Sequence, residues 1–107
     1  MATQKTKQEL TGKQVRFLKS LGHHLNPLAM VGKEGISKQV VQSVTEVLHA
    51  HELIKVKIQK SCELDRQEVA IGLSAATGAA VVQIIGNIVL LYRENPDLKA
   101  DKKITLP

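Results

Sequence analysis

"LIKVKIQK", residues 53–60, alternates strictly between apolar and polar side chains from Ile54 onward. Successive side chains of a strand point to opposite faces. Ile54, Val56 and Ile58 therefore share one face, and Lys55, Lys57 and Gln59 share the other. This is the period of a half-buried strand with a basic outer face, and it sets the frame for its neighbours. Before it, Val40, Val41, Val44, Val47 and Leu48 recur at helical spacing behind Ser37, a good N-cap, with Lys38, Gln42, Ser43 and Glu46 outside. After it, "LDRQEV" predicts another helix start. Asp65 caps, Glu68 answers three residues on, and Leu64 and Val69 stand where a hydrophobic staple forms.

That third helix is predicted to run to about Gly78 along a Val69–Leu73–Ala76 stripe. Ile71 falls off the stripe, so it is either buried by another element or exposed for a partner. Gly72 costs about 1 kcal/mol relative to alanine unless close packing needs it.

The chain begins its order with a further capped helix. In "LTGKQV", Thr11 and Gln14 form a capping box, with Leu10 and Val15 as the staple. Phe17, Leu18, Leu21 and Leu25 make the apolar stripe, opposite Lys13, Arg16, Lys19, Ser20 and His23, and the helix ends before Pro27. "PLAMVG" follows as a short buried strand. "AVVQII" and "IVLLYR" flank Gly86-Asn87, where a leading glycine suits a type II′ hairpin, and "IVLLY" is apolar on both faces like a central strand.

The order is thus helix-strand-helix-strand-helix-strand-strand, an α/β chain of the α+β type. Right-handed crossovers place the second and third helices on one sheet face. The other face carries Lys55 and Lys57 unless the first helix covers it, which the sequence leaves open. The N-terminal "MATQKTKQEL" reads as a short frayed arm rather than a secretory signal, and residues 95–107 read as a loosely held tail.

With 107 residues, 43% of them hydrophobic, the chain supports one compact core, a single domain over 1–107 with its core at about 10–93. It has no apolar run long enough for a bilayer. A single cysteine, Cys62, fits a reducing compartment and a cytoplasmic protein. Residues 1–60 hold ten Lys/Arg against four Asp/Glu, whereas residues 61–107 hold five against six. One basic face meeting a polyanion explains this asymmetry; a merely solvated surface also would. Phe17 and Tyr92 are the only aromatic residues besides histidines. A platform that stacks several bases is therefore missing, and nucleic-acid contact is expected mainly through phosphates, sugars and shape.

"VGKEGIS", residues 31–37, sets Lys33 and Glu34 between Gly32 and Gly35 just ahead of a helix. The amides that open a helix attract anions, Lys33 adds charge, and Ser37 and Lys38 add donors. Glu34 fits only if it points to solvent or to a base edge. Two glycines three apart also occur in ordinary strand-to-helix turns. A strand before, a helix after and a basic helix nearby favour a phosphate-binding turn.

Taken together, "LTGKQ", "LKSLGHHLNP", "VGKEGIS", "HELIKVK" and "ATGAAVVQIIGNIVLLYR" resemble the bacterial YhbY group. This group is the stand-alone form of the CRM domain of plant organellar splicing factors. The likeness covers residues 10 to about 93. It implies a four-stranded mixed sheet of order 1-2-4-3, similar to the C-terminal domain of translation initiation factor 3. It also implies RNA binding and a role in maturing the large ribosomal subunit. The family's loop maps onto Gly32, Lys33, Glu34 and Gly35, and its basic positions onto Lys13, Arg16 and Arg93.

No enzyme is expected. His23 and His24 diverge by about 100° on a helix, His49 and His51 are poorly placed to share an ion, and no metal-ligand spacing or cofactor motif is present. "GKEGIS" lacks the glycine spacing of a P-loop. The expected partner is ribosomal RNA or a pre-ribosomal large-subunit particle, bound by a monomer with no membrane contact. Gly32, Lys33, Glu34, Gly35, Ser37 and Lys38 would form the contact, extended by Lys13, Arg16, Lys19 and Arg93. The rival is a non-enzymatic protein-binding module that uses the apolar third helix around Ile71.

Overall fold

A computed structural model describes residues 9–107; the frayed arm expected over the first residues lies outside the described residues. The elements are α1 (Gly12–Gly22), β1 (Pro27–Val31), α2 (Lys38–His51), β2 (Leu53–Ile58), α3 (Arg66–Thr77), β3 (Ala80–Ile85) and β4 (Ile88–Tyr92). The sheet order is β1-β2-β4-β3. β1 runs parallel to β2, and β4 is antiparallel to both β2 and β3. The element order is the one expected from the alternating strand and the capped helices, and the mixed sheet is the one that the resemblance to the YhbY group implied.

The strand alternation sorts two cores onto opposite sheet faces. Ile54, Val56 and Ile58 join Val44, Leu48, Val69 and Leu73 beneath α2 and α3. The other face holds Leu18 of α1 against Leu53, Val82, Leu90 and Tyr92. So α1 does lie on the lysine face, but it packs on β2, β4 and β3 and leaves the β1 side bare. Central β4 is buried on both faces, as its apolar run requires. The hairpin turn has Gly86 at φ 55, while Asn87 is not among the residues with positive φ, which is the type II′ pattern.

Several expectations need correction. β1 is not a buried strand but an edge strand, with Leu28 and Met30 more than half exposed. Proline is tolerated at its first position because an edge can spare a donor. In α1 the buried positions are Leu18 and Gly22, with Val15 half-buried, while Leu21 and Leu25 stay partly exposed. The helix is rolled because Gly22 lets it close on Leu90: a Cβ there would come within 2.7 Å of that side chain. In α3 the buried set is Val69, Ala70, Leu73, Ser74 and Thr77, so Ala76 is exposed and Ile71 is 69% exposed. Gly72 answers its own question, since Ile36 packs directly over it and would collide with a Cβ.

The tail departs furthest from expectation. Rather than hanging loose, it returns to the core that α1 shares, where Ile104 and Leu106, like Leu10 and Val15, pack against the cluster of Leu18, Leu53, Val82, Leu90 and Tyr92. Pro107 accepts a hydrogen bond from Gln14 Nε2 at 3.3 Å. Few regular hydrogen bonds and many polar residues hid this, because anchoring depends on two apolar side chains and one distant carboxylate.

Candidate nucleic-acid interface

The turn after β1 is closed by Gly35 N–H donating to Gly32 O at 2.9 Å. Lys33 and Glu34 therefore occupy the two central positions, both exposed. Gly35 has φ 64, a conformation that costs an L side chain about 1–2 kcal/mol. Gly35→Ala is expected to destabilise the fold by that amount in a denaturant titration. A Cβ on Gly32 would meet Gln59 Oε1 at 2.5 Å, the movable end of an exposed side chain. Ser37 caps α2 by accepting from Val40 N–H at 3.2 Å. Lys38, the first residue of α2, is exposed. Ile36 seats the turn on α3 through Gly72.

Across the lysine face of the sheet, Arg16, Lys19, Ser20 and His23 of α1 form one wall of a groove. Lys55 of β2 and Gln83 and Ile85 of β3 form the rest. Lys57 lies two residues beyond Lys55 on the same face and pairs in register with Met30, two residues before Gly32. Positive side chains thus step from α1 across the open sheet to the turn. Among the described residues the ion pairs are those of Lys103 with Glu52 and Glu94. None neutralises this track.

The structure does not gather every expected residue. Lys13 is exposed on α1 but does not line the groove. Arg93 stands at the other end of the sheet, just past Tyr92, which pairs with Leu53 at the start of β2. Its guanidinium donates to Thr77 O at 2.8 Å, where it satisfies a carbonyl at the end of α3. Conversely, Lys55, Lys57 and His23 belong to this surface, beyond the contact residues expected from the sequence. The two lysines were legible from alternation; only the tertiary position of α1 gives them company. His23 and His24 pack edge to face at 5.3 Å, and no group of three His, Cys, Asp or Glu among the described residues could hold a metal ion.

The family model of the CRS1/YhbY (CRM) domain matches residues 10–93. This chain belongs to the CRS1/YhbY family. It is 45% identical over 98 residues to the Bacillus subtilis protein named "Probable RNA-binding protein YqeI", covering 92% of this chain and 99% of that one. It is 41% identical over 90 residues to a Haemophilus influenzae protein named "RNA-binding protein", covering 84% and 91%. A solution structure of a Staphylococcus aureus protein, described there as a candidate RNA binder, is 39% identical with a TM-score of 0.76. That match covers 92% of this chain and all of the other.

One residue of the CRM motif "HELIKVK" has a role that periodicity did not show. Glu52 ends α2 at φ 64 and is fully buried. Its carboxylate accepts from Asn95 N–H and Ile104 N–H at 2.7 Å each, and from Lys103 Nζ at 3.1 Å. Its carbonyl accepts from Arg93 N–H at 2.8 Å. Asn95 in turn donates through Nδ2 to His49 O at 2.7 Å. Burial works to raise the Glu52 pKa, but the two amides and the Lys103 ammonium outweigh it and hold the carboxyl below its usual range. A carboxylate at a helix C-terminus opposes the helix dipole, and that misfit was the available signal for a special partner.

Proposed function

We propose that this CRM-family chain binds RNA, using the track from α1 through Lys55 and Lys57 to the Gly32–Gly35 turn. The observation that carries the reading is the set of un-neutralised cations on one face, in a family whose relatives are named for RNA binding. Arg16, Lys19, Lys55, Lys57 and Lys33 meet phosphates. The turn brings the backbone of Lys33 and Glu34 close to them, and Ser37 and Lys38 extend the contact at the start of α2. Lys13 contributes at the edge and Arg93 mainly to structure. In this reading the chemistry is positioning rather than bond making, in keeping with relatives named for RNA binding. The likeness to the YhbY group supports a finer role as a cytoplasmic assembly factor for precursors of the large ribosomal subunit. Among the described residues no helix is long and apolar enough to cross a membrane.

Two measurements test this. The RNA association constant should fall linearly with salt on logarithmic axes, with a slope of about −0.7 per phosphate contacted on single strands. Crosslinking in cell extract followed by sequencing of the attached RNA should concentrate reads in precursor large-subunit RNA; reads spread evenly over messengers would reject the ribosomal role. A second reading is favoured by Ile71, which stands 69% exposed on α3. Under it, Ile71→Ala would weaken capture of a protein partner with little salt dependence and leave RNA affinity unchanged.

A further inference from the structure

The groove beside α1 is more than a row of charges. A smaller depression lined by Lys55, Gln83, Ile85, Ile88 and Leu90 opens into the main groove of about 400 Å³, and the two share Lys55, Gln83 and Ile85. Ile85 is 58% exposed at the rim, an aliphatic surface with nothing packed over it. The Gln83 carboxamide makes no hydrogen bond among the described residues. Opposite them stand the imidazole of His23 and the guanidinium of Arg16, two flat groups suited to lie on an aromatic face. The groove carries no carboxylate, so its charge complements an anion.

We propose that this groove seats one unpaired RNA base. The base lies between the Ile85 side and the His23 side, Gln83 bonds its edge, and Arg16, Lys19 and Lys55 hold the adjoining phosphates. Flat bases are held between aromatic and apolar side chains in other sites that receive an extruded base. A carboxamide offers both a donor and an acceptor, matched to a base edge that also carries both. This deepens the RNA-binding reading and rests on it. The chain then prefers RNA with an unpaired nucleotide beside a backbone track over a continuous duplex, because paired bases cannot enter the groove.

The test compares three probes of equal length at fixed salt: a single-stranded oligoribonucleotide, a perfect RNA duplex, and an abasic ribose-phosphate chain. The native protein should bind the single strand about tenfold more tightly than the abasic chain. Ile85→Ala and His23→Ala, both at exposed positions, should remove most of that difference and leave the salt slope unchanged. Gln83→Ala should alter the preference among homopolymers. Equal binding of the abasic chain and the single strand, with a steep salt slope retained, would overturn the base-seating proposal and leave phosphate binding standing. Absence of salt-dependent binding to any probe would overturn both.

Discussion

Glu52→Gln is expected to cost about 3 kcal/mol of folding stability, because a hydrogen bond to a charged group contributes about 1.5–3 kcal/mol and one buried amide is left facing a donor. The carboxamide keeps the shape and one acceptor, but its NH2 faces either the Asn95 or the Ile104 amide, which needs an acceptor, and the charge that Lys103 answers is gone. The loss is a large part of the 5–15 kcal/mol that holds a typical domain. Glu52→Ala should lose as much, and Glu52→Gly about 1 kcal/mol less, because glycine relieves the φ of 64. Circular dichroism during denaturation measures the total. Amide exchange at Ile104 shows whether the tail lets go first.

The pH dependence follows from the direction of the shift. The folded carboxyl titrates below the 4.5 of an unperturbed glutamate, so its contribution is complete above that value and is lost as pH falls through the lower folded pKa. The stability difference between native protein and Glu52→Gln should therefore shrink below about pH 4.5 and remain constant through neutrality. A difference that grows on acidification would contradict the hydrogen-bonding account of the site.

The double substitution of Arg16→Ala and Lys33→Ala should lower RNA affinity on the order of a hundredfold at low salt. A hydrogen bond to a charged group contributes about 1.5–3 kcal/mol, and two at the low end make roughly two decades. Each lost phosphate contact should also flatten the salt dependence by about 0.7 of a unit of slope on single strands. Both residues are exposed and neither forms an ion pair among the described residues, so the melting temperature should hardly move. An intact fold with unchanged affinity at moderate salt would remove both from the interface. Loss of affinity from Arg93→Ala should instead come with loss of stability, because that side chain holds the end of α3.

Local chemistry made most of the fold legible. Alternation in 53–60 located β2 and assigned its faces, capping boxes at Thr11 and Asp65 fixed two helix starts, and Gly86-Asn87 marked the hairpin. These signals are short-range, so they survive without knowledge of the rest of the chain. The turn at Gly32–Gly35 and the basic residues of α1 were legible for the same reason.

Which groups share a surface depends instead on contacts between residues far apart in sequence. Gly22 lets α1 settle on Leu90, and that roll brings Arg16, Lys19 and His23 beside Lys55 and Gln83. Ile36 and Gly72 seat the turn on α3. Glu52 reaches 52 residues along the chain to Ile104 and fastens a tail that no periodicity announced. Sequence patterning records which face of each element seeks water. Only packing decides which of those faces meet, because the side chains that choose the neighbour lie on another element.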